Sequence, residues 1–306
     1  MSELSDTNDA SVLSTLKTLL VPYDFFEASD AALSWAIEIA EVFDSKIIVL
    51  CIENPNRLGD RMEGDPKSAQ ARRDAQESLQ GLQRRLEHAD VRCDVIQRTG
   101  VTGDILVQEV SDQRADLVLM GAYGSRRLDP PRLGSTADAM IRAMACGVFV
   151  IGPESAAHPP HFDALRRILY LKISDQATPR LPLLEEIAEK SRAVIEIECL
   201  VRGGFNCDPS RHQKLQTDCE RLAMSLRAQH FPVCWNLQYG GEDTLLPSIS
   251  RLDLADLTVI DAADPTPKTR RTLNLVIQNS RCPVLVLPRE QLRAVPAQPE
   301  ALAAVT

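Results

Sequence analysis

The sequence predicts an α/β protein of two similar halves, each an open five-stranded parallel sheet with helices on both faces. Short apolar segments alternate with longer amphipathic ones along the chain. The short segments are apolar at nearly every position, which is typical of parallel strands buried on both faces. The same order of segments occurs twice, and a length of 306 residues suits two domains.

The first half opens with an apolar strand at 18–23 and a helix at 29–43. Ser29 is the predicted N-cap of that helix, and Ala32, Trp35 and Ile39 share its apolar face. The alternation continues with strands at 46–52, 91–98, 117–120 and 148–151 and helices at 66–88, 103–113 and 137–145.

The second half repeats this order, and the Ala-Asp-Leu tripeptide at 115–117 recurs at 255–257. Its strands are predicted at 167–173, 193–200, 233–238, 257–260 and 284–287, and its helices at 181–190, 208–229, 244–252 and 272–280. We expect the last strand of each half to pair with the other within one chain, as an internal pseudo-dimer. A homodimer of whole chains is a further expectation.

Changes in composition set the domain boundaries. We expect a first domain at 15–152, a proline-containing linker at 153–163 and a second domain at 164–288. The polar segment 1–14 and the Ala- and Pro-rich segment 289–306 are predicted to be disordered.

The composition favours a cytoplasmic protein that binds neither nucleic acid nor membranes. The net charge of -9 argues against a nucleic-acid or anionic-membrane surface as the main partner, and an aromatic content of 4% leaves few residues for base-stacking surfaces. The eight cysteines form no C-x-x-C pair and mostly lie in apolar runs, as buried, reduced thiols do. The first 14 residues lack the apolar stretch of a signal peptide, and no apolar run is long enough to span a membrane.

A glycine-containing run follows the fourth strand and carries the most specific signal. Gly121 ends that strand, Gly124 follows it, and Gly134 precedes Ser135, Thr136 and an amphipathic helix. Glycine lets the backbone approach an anion closely, and a helix N-terminus supplies N–H groups and a favourable dipole. The run therefore predicts a site for nucleotide phosphates.

On these residues the chain resembles the universal stress protein family in a tandem, two-domain form. The family's G-x2-G-x9-G-[ST] motif is met by Gly121, Gly124, Gly134 and Ser135, and the first strand ends in a similar way to the family's strand-Pro-x-Asp at 21–24. The resemblance covers 15–152 and 164–288. It implies Rossmann-like domains of the adenine nucleotide alpha hydrolase type, and a stress-response regulator that binds ATP, ADP or AMP.

The resemblance also implies roles for individual residues. Asp24 would lie near the ribose and phosphates and contact Mg²⁺ bound with ATP, and Ile52 would offer backbone groups to adenine. The full predicted nucleotide site comprises Pro22, Asp24, Ile52, Met120, Gly121, Gly124, Arg126, Gly134, Ser135 and Thr136. Two of these residues also have an interpretation without a ligand. Asp24 would be a turn carboxylate, and Arg126 would belong to an exposed basic loop rather than to a lid over phosphates.

Two departures from the family pattern concern aromatic residues. Phe25 and Phe26 stand where small polar residues are usual, and Tyr123 stands where histidine is common. These side chains would either narrow the pocket or stack on the base.

The second half departs further, and we predict that it does not bind ATP in the family's way. Asp261 and Asp264 answer Gly121 and Gly124, while Arg270 and Arg271 answer Gly134 and Ser135. Lys172 or Ile173 stands at the Asp24 position. These basic residues would hold a different anion or, as we favour, have a solvated or domain-interface role.

Three functions follow from these observations. The first is nucleotide binding with slow or no hydrolysis, because the sequence shows no general base for water; Ser135 or Thr136 would then be the nearest acceptors for autophosphorylation. The second is a scaffold of the same fold that has lost nucleotide binding. The third, a nucleotidyl transferase, would need a Ser-Gly-Gly-x-Asp-Ser loop that 23–27 does not supply. No catalytic residue is predicted.

Overall fold

The computed structural model describes residues 16–53, 77, 80–89, 91–123, 133–143, 145–157, 161–173, 178, 181–202, 208–240, 254–261 and 267–288. The segments predicted to be disordered, 1–14 and 289–306, lie outside these ranges. The predicted helix 244–252 and most of the predicted helix 66–88 also lie outside them, although 80–88 is helical.

The described part of the N-terminal half alternates strands and helices as predicted. Its elements are β1 (Thr18–Pro22), α1 (Glu27–Phe43), β2 (Lys46–Glu53), β3 (Arg92–Thr99), α2 (Thr102–Asp112), β4 (Leu117–Gly121), α3 (Ser135–Ala143) and β5 (Gly147–Ile151). A short helix, α4 (Pro153–Ala156), and a 3-10 turn (Phe162–Ala164) lead into the second half.

The C-terminal half follows the same order. Its elements are β6 (Arg167–Lys172), α5 (Pro182–Ser191), β7 (Val194–Arg202), α6 (Pro209–Ala228), β8 (Val233–Gly240), β9 (Leu257–Asp261), α7 (Pro267–Asn279) and β10 (Val284–Leu287).

All ten described strands form one sheet, in the order β3-β2-β1-β4-β5-β10-β9-β6-β7-β8. Neighbouring strands are parallel within each half. At the centre β10 is antiparallel to β5, with Val284 opposite Val150 and Val286 opposite Val148. This is the internal pairing of last strands that the sequence predicts, and it relates the halves by an approximate twofold axis.

The repeat extends to the contact that fixes the register of each half. Asp116, just before β4, accepts hydrogen bonds from the N–H groups of Lys17 and Thr18 at 2.9 Å each. Asp256, just before β9, accepts the same pair of bonds from Arg166 and Arg167 at 2.8 and 2.9 Å. A single carboxylate therefore ties the first strand of each half to the strand beside it.

The strands are buried on both faces, as their continuous apolar sequences indicate. Leu19 and Val21 pack in the core on one face of the sheet, and Leu20 packs in the core on the other. The two outer strands, β3 and β8, are the exceptions, since their described side chains are partly or fully exposed.

The predicted N-cap role of Ser29 is wrong. Helix α1 begins at Glu27 and its N-cap is Phe26, so Ser29 occupies the third helical position. The Ser29 hydroxyl accepts from the Phe26 N–H at 3.2 Å and donates to the Phe26 carbonyl at 2.8 Å. Ser29 therefore caps the helix from inside, as the third residue of a capping box does.

Candidate functional site

The predicted site lies where the strand order of the N-terminal half reverses. The chain passes from β1 outward to β2 and β3, and then returns to place β4 on the other side of β1. The carboxyl ends of β1 and β4, at Pro22 and Gly121, are therefore neighbours, and in open α/β sheets this arrangement leaves a crevice between the outgoing loops. In open α/β sheets ligands bind at this point. Met120 is buried just below the edge.

Gly121 allows α1 to pack closely against the end of β4. A Cβ atom at this position would lie 2.5 Å from the Cβ of Ala28, well inside van der Waals contact. The next residue, Ala122, donates its N–H to the Ile151 carbonyl at 2.8 Å, which holds the start of the loop against β5. Packing alone thus requires glycine at 121, and the same feature leaves bare backbone at the crevice.

Gly134 brings the N-terminus of α3 to the same edge. Its N–H donates to the Ala122 carbonyl at 2.8 Å, so this N–H closes the loop and is not available to a phosphate. Its carbonyl accepts the first helical bond, from Asp138, at 2.9 Å. The N–H groups of 135–137 precede that bond and extend from the positive end of the helix. The Ser135 side chain is exposed and that of Thr136 is half-buried.

Asp24 follows β1 directly and its side chain is exposed. One carboxylate oxygen accepts from the Phe26 N–H at 3.3 Å, so the turn role considered for this residue does occur. Asp24 follows Pro22 by two residues, and Pro22 pairs with Leu50, so Asp24 lies beside the end of β2. Burial, and secondarily the Asp24 carboxylate, raises the pKa of the Cys51 thiol to about 11. A single exposed carboxylate suits a Mg²⁺ ion whose other ligands are phosphates and water.

Ile52 presents main-chain groups to the crevice. The carbonyl of Leu50 points toward β1, where it accepts from the Tyr23 N–H at 2.9 Å. Alternate residues of a parallel strand direct their main-chain groups to the same side, so the N–H and carbonyl of Ile52 also point that way. The pairing of β1 with β2 ends at Pro22 and Leu50. The main-chain groups of Ile52 therefore extend beyond the last residue of β1.

Two of the three aromatic departures are exposed, and the third is half-buried. Phe25 and Phe26 are 39% and 49% exposed. Phe25 has a φ of 63°, a strained left-handed conformation for so large a residue, and its ring meets that of Tyr23 edge-on at 5.0 Å. Tyr123 is half-buried, and burial raises its pKa. Its hydroxyl is buried and has no hydrogen-bond partner among the residues that the structure describes.

Sequence reasoning missed a polar network beneath this edge. The Tyr23 hydroxyl donates to the Asp30 carboxylate, and Arg85 pairs with the same carboxylate at 2.8 Å. Arg85 also donates to the Ser34 hydroxyl at 2.7 Å. Burial first, and then the bond to Asp30, raises the pKa of Tyr23. The network fixes the first turns of α1, and its long sequence separations left no local signal.

Two predicted site residues, Gly124 and Arg126, lie outside the described ranges, as does Asp264 of the second half. A separate cavity of about 480 Å³ lies at the opposite edge of the sheet, where Asp116 and Cys146 precede their strands and Leu183 of α5 forms part of the wall. It is therefore not part of the predicted nucleotide site.

The second half has buried polar side chains at the matching edge. Leu19 pairs with Leu117 and Ile168 with Leu257, so Ile173 corresponds to Asp24 and Asp261 to Gly121. The buried Asp261 carboxylate accepts from the Ile173 N–H at 3.1 Å. It bridges the two loops where the first half has a crevice.

The expected solvated role of Lys172 is wrong. This side chain is 1% exposed and donates to the Thr178 hydroxyl at 3.0 Å. The Tyr170 hydroxyl lies between Thr178, at 3.3 Å, and Asp261, at 3.5 Å. A buried network thus replaces the accessible edge that a triphosphate would need.

Arg270 has the domain-interface role that the sequence favours. Its Nη2 atom lies 2.8 and 3.0 Å from the two carboxylate oxygens of Asp138 in α3 of the first half. This contact joins the N-terminal turn of α3 to α7 of the second half.

Comparison with known proteins finds a family likeness in the first half. Residues 15–152, which are less than half of the chain, match the sequence model of the universal stress protein family. A universal stress protein of Methanocaldococcus jannaschii is 28% identical over 138 residues, which are 44% of this chain and 81% of the relative.

Solved structures extend the likeness in fold to both halves. A universal stress protein from Archaeoglobus fulgidus superposes with a TM-score of 0.65 at 18% identity, over 89% of this chain and 96% of its own. A protein of unknown function from Pseudomonas aeruginosa gives 0.60 at 16% identity, over 90% and 94% of the two chains. At these identities the likeness establishes the fold, here two universal stress protein folds in tandem.

Two features are absent from the described residues. None of their helices is both long and apolar enough to cross a membrane. They also contain no cluster of three or more His, Cys, Asp or Glu side chains arranged to hold a metal ion.

Proposed function

We propose that this protein is a universal stress protein that binds one adenine nucleotide per chain, ATP or a related ADP or AMP, in its N-terminal half, and acts as a cytoplasmic stress-response regulator. The convergence of three groups at one edge carries the proposal. They are the Asp24 carboxylate, the main-chain groups of Ile52 and the N–H groups of 135–137 at the start of α3.

The three groups match the three parts of an adenine nucleotide. Adenine has a ring nitrogen acceptor beside an amino donor, and the N–H and carbonyl of Ile52 offer the complementary pair. The N–H groups of 135–137 and the helix dipole suit phosphate oxygens. Asp24 lies between these regions, where it would accept from ribose or help to hold Mg²⁺ that neutralises the phosphates.

The described side chains favour binding over hydrolysis. Asp24 is the exposed carboxylate that follows β1, the Asp138 carboxylate of α3 is paired with Arg270, and no histidine of the described ranges lies beside Asp24 in the sequence or the sheet. Activation of water requires a base positioned next to it. We therefore expect little or no ATPase activity, with Ser135 or Thr136 as the nearest acceptors for slow autophosphorylation.

The proposal is tested with Ser135→Glu and its neutral match Ser135→Gln. An acidic side chain in the first turn stabilises a helix by about 0.3–1 kcal/mol, so the glutamate variant keeps α3 folded while repelling phosphates. Native mass spectrometry should find one nucleotide per parent chain. Titration calorimetry with Mg-ATP should show binding by the parent and the glutamine variant, and much weaker binding by the glutamate variant. Equal affinity for all three would refute the proposed phosphate position.

A scaffold that binds a protein and no nucleotide is the second candidate. Two large exposed apolar side chains, Phe25 and Phe26, favour it, because such residues at a site edge also suit a protein partner. A purified chain that carries no nucleotide and gives no heat with Mg-ATP would support the scaffold over the nucleotide-binding protein.

A further inference from the structure

An ion pair between Arg270 and Asp138 connects the C-terminal half to the helix at the proposed nucleotide site. Nη2 of Arg270 lies 2.8 Å from one oxygen of Asp138 and 3.0 Å from the other. The Asp138 side chain is 24% exposed and that of Arg270 is 41% exposed. Nε of Arg270 is buried and has no hydrogen-bond partner in the part of the chain that the structure describes. The guanidinium is thus held against α3, where its described ionic partner is Asp138.

Asp138 lies next to the phosphate-facing end of α3. Its N–H makes the first helical bond, to Gly134, so its side chain is one turn from Gly134 and Ser135. In a helix the Cα–Cβ bond tilts toward the N-terminus, which directs this carboxylate toward the N–H groups of 135–137. Any phosphate bound by those groups has Asp138 as a near neighbour.

The charge of Asp138 has opposite effects on the helix and on its ligand. A carboxylate in the first turn stabilises the helix dipole, yet it repels a phosphate at the same end. Arg142, one turn farther along α3, also reaches Asp138, but at 3.2 Å and with half of its side chain exposed. Arg270 comes from the other half and makes the closer contacts, so it supplies the stronger neutralisation.

We propose that Arg270 is a positioning residue of the nucleotide site, supplied by the half that has lost its own site. It neutralises Asp138 and so raises the affinity of the N-terminal half for the phosphates of ATP. This inference rests on the proposed function. The degenerate second half thereby keeps a role in binding, because its helix α7 sets the charge beside the phosphates of the first half.

The magnitude follows from Coulomb's law. A unit charge roughly 8 Å from a phosphate changes its affinity about 3- to 30-fold as the effective dielectric constant falls from 80 to 20. The effect depends on ligand charge, so it should be large for ATP and absent for adenosine. A purely structural role of Arg270 would weaken both ligands alike.

The experiment measures Mg-ATP and adenosine affinities for the full chain by calorimetry. Arg270→Gln should weaken ATP binding by about 3- to 30-fold and leave adenosine binding unchanged. Asp138→Asn alone should bind ATP at least as tightly as the parent, and the double variant Asp138→Asn with Arg270→Gln should return to parental affinity. Arg221→Gln is the matched control, because Arg221 pairs with Asp218 at 3.5 Å on α6 of the same half; it should match the parent.

Three results would overturn the inference while leaving the proposed function intact: unchanged ATP affinity in Arg270→Gln, equal loss of adenosine affinity, or no recovery in the double variant. A parent that binds no ATP would instead refute the proposed function, and this inference with it. Asp138→Asn keeps Arg270 in place, so it remains informative if Arg270→Gln fails to fold.

Discussion

Substitution of Gly121 by alanine tests the closest approach in the N-terminal half. The new methyl group would lie 2.5 Å from the Cβ of Ala28, whereas carbon atoms pack at about 3.5–4.0 Å. The obstacle is a Cβ atom fixed by the backbone of α1, so the helix itself must move by roughly 1 Å. Overpacking of this kind costs about 1–3 kcal/mol.

Thermal and denaturant unfolding should show this cost directly. A loss of about 2 kcal/mol lowers Tm by roughly 4–8 °C for a cooperative unit of 150–250 residues. Gly103→Ala is the matched control: it lies in α2, and no atom is within 4 Å of the added Cβ. Since alanine is favoured over glycine in helices by about 0.5–1 kcal/mol, this control should be stabilising.

A second substitution separates steric cost from other causes. Ala28→Gly removes the atom that meets the new methyl group. Combined with Gly121→Ala in a double variant, it should recover part of the lost stability, less about 0.5–1 kcal/mol for glycine in a helix. If Gly121→Ala is as stable as the parent, or if Ala28→Gly adds its full cost without recovery, the packing explanation for Gly121 is wrong.

Three further predictions concern the two halves. Asp116→Ala and Asp256→Ala each leave two N–H groups unpaired and should each lower the unfolding free energy by about 1–3 kcal/mol, as urea denaturation would show; unequal effects would contradict the equivalence of the two contacts. Lys172→Met should destabilise the second half by about 1–3 kcal/mol because it removes the hydrogen bond that Lys172 donates to the buried Thr178 hydroxyl, and a neutral result in calorimetry would count against that role. Burial raises the pKa of Cys51 from 9.0 to about 11, so between these pH values the folded state retains a proton that the unfolded state loses. The buried neutral thiol therefore stabilises the folded state fully below pH 9, and this stabilisation is lost toward pH 11. Cys51→Ala should flatten this fall in the free energy of unfolding, as measured by urea denaturation.

The strands were predictable because burial on both faces leaves a continuous apolar sequence. The Ala-Asp-Leu tripeptides at 115–117 and 255–257 were also informative, since Asp116 and Asp256 make the same contact in both halves. The internal pairing of β5 with β10 follows from two apolar last strands that would otherwise have open edges. Regular burial and repetition are therefore the features that a single sequence reveals.

Long-range polar contacts were not predictable. Lys172 ends a strand and carries a charge, so an exposed position was expected; it is buried because Thr178 and Asp261 provide a polar interior. The contact between Arg270 and Asp138 spans 132 positions, and no local pattern marks it. Gly121 was identified for phosphate binding, yet its most direct constraint is the helix packed against it.

The covalent link between the two halves has a genetic consequence. In an assembly of two identical chains, every substitution appears in both copies, so a change that abolishes one ligand site abolishes the other. Here β5 and β10 belong to one gene product and keep their pairing while the rest of each half varies separately. One half can therefore carry Asp261 where the other carries Gly121. The two different halves also stay in a one-to-one ratio at any protein concentration.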